Sequence, residues 1–469
     1  MRRIILIVFL FAGETVCAQV NAPTASTPTR IDSPNELDIL RESCFTPKGI
    51  PGCAEELFTG DPVHIAVGSI APQDGFGAGV AYVGHKTTDN WRTTWNADAI
   101  GSINASWRAG FYMNFVHTPN NPILVEHGTP PPLKSNLTEL PEHTVFGLYA
   151  QAISLNKLTY FGLGPATTEA DRSFYGMTET IVGGNVVKPI YERLHAALHG
   201  EINGRFVNIR ASDGQPSPSI GLLYTEATAP GLTSQPGTLQ LGEGVRIRPV
   251  FAGDVVRLNY DVTYQQYVSS GNSNFSFQRF TIDLGHEFAL YGKTTRMLGP
   301  RPGNGPDDCA LDLVAHPKCP KPYVRNFEGT VGFRFFTALS MTPGGDIVPF
   351  YYQPTLGGND IDNNTSLASY QDYRFRAPDV MLLRESFEHS IWNFPVGFAF
   401  MADEGKVAMT RGDLGSSPWV HSFSAGLTLR AGGFPQVYLL FAWGGHEGTH
   451  TIANLNTSLL GGDTRPSLY

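Results

Sequence analysis

The stretch Val256-Arg257-Leu258-Asn259-Tyr260-Asp261-Val262-Thr263-Tyr264-Gln265 alternates without a break between apolar and polar side chains. Successive side chains of a β-strand point to opposite faces, so a two-residue repeat predicts a strand with one oily and one wet face. The pattern returns downstream, where Phe280, Ile282 and Leu284 oppose Arg279, Thr281, Asp283 and Glu287. A wet face this rich in charge suits the lumen of a membrane barrel, whose other face meets lipid. In a soluble sandwich the same polar face is simply the outside. Strands reading ten or more residues long, together with the N-terminus, tip the balance toward the membrane.

That N-terminus carries Arg2 and Arg3, the apolar run Ile4 to Ala12 and the small-residue exit Val16-Cys17-Ala18. It reads as a secretory leader over 1–18, cut before Gln19, and its apolar core is too short for a spanning helix. Losing it removes Arg2, Arg3 and Glu14, which takes the formal charge from −9 to −10 and disfavours a nucleic-acid partner. Beyond it the longest apolar run is Val437 to Trp443, far short of the roughly 18 to 20 residues a transmembrane helix needs. The 51 glycines, 34 prolines and 16% charged residues suit short strands and turns better than long helices.

The chain therefore reads as all-β, a transmembrane antiparallel β-barrel of about sixteen strands occupying 63–460. Candidate strands lie near 63–70, 75–85, 92–102, 106–117, 143–155, 172–184, 192–209, 238–250, 253–267, 275–291, 325–341, 373–391, 395–408, 418–431, 435–444 and 450–460. Linkers rich in Pro, Gly and Asn fill 118–142, 210–237 and 292–324. Residues 19–62 read as a short, irregular periplasmic lead-in, and 461–469 as a tail set off by Pro466. Four cysteines remain after the leader. Nearness in sequence favours the pairs Cys44 with Cys53 and Cys309 with Cys319, although four cysteines allow three connectivities and zinc is the alternative.

One stretch carries a resemblance: Thr355-Leu356-Gly357-Gly358, followed by Leu367-Ala368-Ser369-Tyr370 through Arg374-Phe375-Arg376. Together with Met401-Ala402-Asp403-Glu404-Gly405-Lys406-Val407, it resembles the BamA/TamA (bacterial surface antigen) family. Weaker matches lie at Ala442-Trp443-Gly444, Glu447-Gly448 and Tyr160 to Pro165. The resemblance implies a long loop that folds back into the lumen and places an Arg against the Asp of the neighbouring strand. Here the loop Arg position is Ala368 and the following Gly is Ser369, while Tyr370 and Asp403 keep the pattern. A lone carboxylate recruits a cation, and Arg374 or Arg376 is expected to contact Asp403. The alternative is that both arginines line a polar channel wall. The family's periplasmic POTRA modules have no room in residues 19–62.

His446-Glu447-Gly448-Thr449-His450 satisfies H-E-x-x-H, but zinc binding by that motif needs a helix, and Gly448 after Gly444-Gly445 predicts a hairpin turn. Glu385, Glu388 and Asp283 are candidates for a lumenal acid dyad, against the plainer reading of wall charges. No nucleophile elbow or phosphate-binding loop is present. The chain is expected to be no enzyme and to need no cofactor or metal. Residence in the bacterial outer membrane is expected, with lipid as partner and client outer-membrane proteins or a periplasmic protein as further candidates. Two functions follow. The first is assembly or translocation through a weak seam between 63–70 and 451–460, where Asn454 and Asn456 lower β-propensity. The second is a passive or gated pore plugged by the loop 342–372.

Overall fold

A computed structural model describes residues 63–88, 90–118, 143–252, 255–294, 324–391, 396–431, 434–455 and 466–468. The leader, the lead-in segment, Asn456, the four cysteines Cys44, Cys53, Cys309 and Cys319, and most of two linkers lie outside them. The described residues all belong to the unit Ala54–Tyr469.

Sixteen staves form one antiparallel sheet in chain order: β1 Val63–Ser69, β2 Phe76–Thr87, β3 Trp91–Ser102, β4 Trp107–His117, β5 Val145–Tyr160, β6 Ser173–Tyr191, β7 Ala196–Ala211 and β8 Thr238–Ile247. The second half comprises β9 Val256–Ser269, β10 Phe277–Thr294, β11 Val324–Met341, β12 Asp379–Ser390, β13 Val396–Ala408, β14 Val420–Ala431, β15 Phe434–Gly445 and β16 Gly448–Leu455. Each stave pairs with the next, and Val250–Phe251 merely continues β8 beyond a break. Among the described residues helix is limited to the α-turn Ile220–Leu223 and a few 3-10 turns. No helix among the described residues is long and apolar enough to cross a membrane.

The two faces of the sheet are inverted relative to a water-soluble protein. On β7, Ile202 and Phe206 are 54% and 59% exposed, whereas Asn203 and Arg205, one residue away, are 0% and 1% exposed. On β14, Leu427 and Leu429 face out while Ser424, Thr428 and Arg430 are buried. Charged side chains tolerate burial only when paired and hydrogen-bonded. The inner face obliges: Arg108 meets Asp98 at 3.1 Å, Arg205 meets Glu179 at 2.9 Å, Arg334 meets Asp283 at 2.8 Å and Arg430 meets Glu388 at 3.2 Å. The alternation quoted above is thus used with its polar side inward, as a barrel requires.

The sheet curls until both ends reach the same inner segment. The turn after β1 accepts a hydrogen bond from Tyr373 through the Pro72 carbonyl at 3.2 Å. At the other end Glu447, in the β15–β16 turn, pairs with Arg374. Among the described residues no ladder joins β1 to β16. The segment between β11 and β12, read from sequence as a long lumen-plugging loop up to 372 with a strand from 373, folds on itself, and the strand starts only at Asp379: Thr355–Leu356 pairs with Phe375–Arg376, and Gly358–Asn359 with Thr365–Ser366. The linker 210–237 also packs, burying Ile220 and Ala229 in the same apolar cluster as Tyr160 and Phe350.

An arginine placed at Leu427 tests the inverted faces. In a refolded, lipid-embedded barrel the substitution costs about 2–4 kcal/mol of unfolding free energy if the site lies near mid-bilayer. A change within about 0.5 kcal/mol in denaturant titration would mean that this face meets water.

Candidate functional site

The inner segment, residues 342–378, is a strap across the lumen, and its placement depends on one carboxylate. Asp403 sits on the inward face of β13, directly across from Arg384 on β12. Arg384 grips it with two parallel bonds, Nε to Oδ1 at 2.7 Å and an η-nitrogen to Oδ2 at 2.9 Å. The same Oδ2 accepts the backbone N–H of Leu367 at 2.7 Å, and Arg384 also donates to the Thr365 carbonyl. One wall ion pair therefore holds the strap's inner bend by its backbone. Leu367 lies there at φ 46°, an uncommon conformation for a branched residue, sustained by these contacts. Ser369 N–H adds a bond to the Ser422 hydroxyl on β14 at 2.8 Å.

The expectation that Arg374 or Arg376 supplies the cation is corrected. Arg374 pairs with Glu447, donates to Thr167 Oγ1 and O at 2.8 and 2.7 Å, and lies over the rings of Phe161 and Phe375. Arg376 donates to the carbonyls of Phe350 and Gln353 at 2.7 and 3.3 Å and faces the Tyr175 hydroxyl at 3.5 Å. Both are buried. They staple the strap to the loops above it and to its own base, and do not line an open channel wall. Arg384 is the cation the sequence reading missed. Its signal is present, since it stands at an inward position of its strand, but only the β12–β13 register puts it opposite Asp403.

The glycines of the strap permit close approach. Gly357 and Gly358 adopt φ +101° and +59°, and a Cβ on Gly358 would lie 2.5 Å from the Asp372 backbone nitrogen. Gly405, two residues from Asp403 on the same face of β13, leaves room for Leu356 and Leu367, whose methyls would sit 3.0 Å from an added Cβ. Tyr370 packs edge-on against Phe375 beside Gly445. The eight motif residues named from sequence thus gather on the strap and its docking strand.

The H-E-x-x-H segment is a β-hairpin turn, with Glu447 engaged by Arg374. Among the acids proposed as a dyad, Glu388 is held by Arg430, Asp283 by Arg334, and Glu385 lies exposed on the opposite face of its strand from Glu388. They do not converge. No group of three or more potential metal ligands occurs among the described residues.

The strap tip is a tight turn in which Asp360 accepts N–H bonds from Asp362 and Asn364 at 3.0 and 2.7 Å. Enclosure by the surrounding protein, then the neighbouring Asp362 carboxylate, pushes the Asp360 carboxyl well above the usual range. Asp362 is raised too, by enclosure, although Arg205 and two hydrogen bonds from residues 467 and 468 oppose the rise. One cavity borders the strap and a second lies along the wall. The first, of about 450 Å³, opens between the turn after β1 and β16 and is lined by Gln73, Lys157, Arg172, Asp372 and His450. The other, of about 560 Å³, lies against β9 to β12 and gathers Arg248, Arg257, Arg334 and Arg384.

No family model matches this chain, and no curated protein matches it. Among solved structures it is similar to the crystal structure of BamA from Haemophilus ducreyi lacking POTRA domains 1–3, with 10% identity and a TM-score of 0.44. That match covers 83% of this chain and 66% of the other, so the chain spans just under two thirds of its length.

Two measurements probe the clamp and the tip. Arg384→Met strands Asp403 in a buried position and costs about 3–5 kcal/mol, and adding Asp403→Asn recovers most of that loss, because the penalty belongs to the unpaired charge. Additive losses in denaturant titrations would deny the pairing. At the tip, the folded state holds Asp360 protonated to higher pH than an unfolded chain, whose aspartates titrate near about 3.9. Folding therefore takes up a proton above that point, and stability is highest in acid and declines as pH rises through the elevated folded value. Asp360→Asn flattens that decline in thermal unfolding followed from pH 4 to neutrality, and an unaltered pH profile would exclude this site as its source.

Proposed function

We propose that this chain is an outer-membrane β-barrel that assists the assembly or translocation of outer-membrane proteins or lipids at the seam between β1 and β16. The observation that carries the reading is the seam. Among the described residues its two edge strands share no ladder, and a cavity of about 450 Å³ opens between the turn after β1 and β16. Unpaired strand edges present rows of free N–H and C=O groups, which are templates for another strand. The apolar outer face supports contact with lipid, and the leader read at 1–18 supports export to the cell envelope. The strap supports a closed centre, since it is tied to β12, β13, β14 and both end hairpins. Client barrel proteins and membrane lipid are the partners this reading calls for.

A loop-gated pore for small solutes is the second reading. It draws on the cavity of about 560 Å³ that gathers Arg248, Arg257, Arg334 and Arg384, because a ring of like charges along a wall is what a selective channel would use.

The deciding experiment reconstitutes the protein in liposomes and follows insertion of a small unfolded barrel protein. Cysteines introduced along β1 and β16, in a background with the native cysteines changed to serine, are screened for oxidative closure of the seam. Insertion accelerated several-fold by the open form and lost on oxidation is expected. Equal rates with and without the protein, combined with a steep rise in planar-bilayer conductance on deletion of 359–370, would replace this reading by the pore.

A further inference from the structure

Wall, strap and the chain downstream of the last strand meet at one junction inside the lumen. Pro466–Leu468 lies outside any strand. Its Ser467 hydroxyl donates to Asp362 Oδ2 at 2.6 Å, and the Leu468 N–H donates to Asp362 Oδ1 at 3.0 Å. Arg205 of β7 donates to the Ser467 carbonyl at 2.7 Å while holding Glu179 of β6 through its other η-nitrogen. The Leu468 side chain is buried and joins the apolar cluster that contains Ile361, Tyr351 and Tyr352 of the strap and Tyr149, Tyr267 and Phe277 of the wall. A carboxylate that takes both a hydroxyl and a backbone N–H from neighbouring residues makes a specific, charge-assisted contact.

We propose that Pro466–Leu468 is a latch that fastens the strap tip to the inner wall at Arg205. Ten residues separate Leu455, the end of β16, from Pro466. Even fully extended they reach only roughly 35–40 Å, so the latch stays tethered to the seam strand. A tether of this length keeps the latch at roughly millimolar effective concentration, which lets a contact of three hydrogen bonds and one apolar side chain stay seated and still release. When the latch leaves, the strap tip loses two hydrogen bonds and an apolar neighbour together, and seating the latch restores them. The charged groups facing Asp362 are Asp360 on the strap, Glu179 on β6 and Arg205 on β7. The Ser467 carbonyl bound to Arg205 and the two donors on Asp362 place the latch as a bridge between the Arg205 guanidinium and the Asp362 carboxylate. The coupling goes beyond the proposed function, because it holds whether the seam serves a client or the lumen serves a solute.

The test is hydrogen exchange of the strap in the full, refolded protein. Deletion of 466–469 is expected to raise exchange at 360–367 by about tenfold or more, with the barrel still folded by its heat-modifiable gel migration. A synthetic peptide spanning Thr464–Tyr469, added at millimolar concentration, restores protection. If the deletion does not fold, the double variant Ser467→Ala with Leu468→Ala is measured for the same change. Strap protection equal to wild type in either folded variant overturns the latch. So does raised exchange that the peptide fails to reverse in the deletion. Client insertion is not part of the readout, so failure of the assembly reading leaves this result standing on its own.

Discussion

A charged side chain turned toward the inside of a sheet has to be answered there, and Asp403 shows how much structure that requirement organises. Its carboxylate receives three bonds, two from Arg384 and one from the backbone of Leu367. The first two join neighbouring wall strands, and the third reaches across to the strap. An isolated carboxylate in that position would be costly, so removing any partner is felt by the others. Ala368 on the strap carries no charge, and the cation arrives from the wall. The strap then contributes only a backbone N–H, which any residue at that position except proline supplies.

The wall was legible in the sequence because alternation is a local property. Each of the sixteen expected strands overlaps a stave, and the largest boundary shifts are at Tyr191, where β6 runs seven residues past its expected end into the next hairpin, and at Asp379, where β12 starts six residues late beside the folded strap. The strap itself was placed by its glycines and by Asp403. Its contacts were not legible, because they depend on which strands are neighbours and in what register. Arg384 and Asp403 are nineteen residues apart, and nothing in either strand alone selects one inward arginine over another. Arg374 and Arg376 were the candidates nearest the loop position Ala368 in sequence, yet the short ladder from Thr355 to Arg376 turns them toward the loops and the strap base. Likewise the glutamate of the H-E-x-x-H segment reads as chemistry from spacing and as an ion-pair partner once the hairpin is built.

The pairs on the inner wall also explain why so many charges are compatible with a stable sheet. Arg108 with Asp98, Arg205 with Glu179 and Arg334 with Asp283 each join adjacent strands, so each pair holds a register as well as a charge. The outer face relies mainly on its apolar side chains, with Glu404 of β13 facing His421 of β14 at 3.2 Å as an exposed polar pair.

Tyr373 and Arg374 are consecutive, yet the first bonds to the turn after β1 and the second to the turn before β16. Two adjacent residues therefore span the gap between the free margins of the sheet at the strap end, and Tyr373 adopts φ 62° in doing so. A dipeptide is a short rivet. With the rim pinned there, the gap between the first and last strands is bridged at this end and widens only when one of those two bonds gives way.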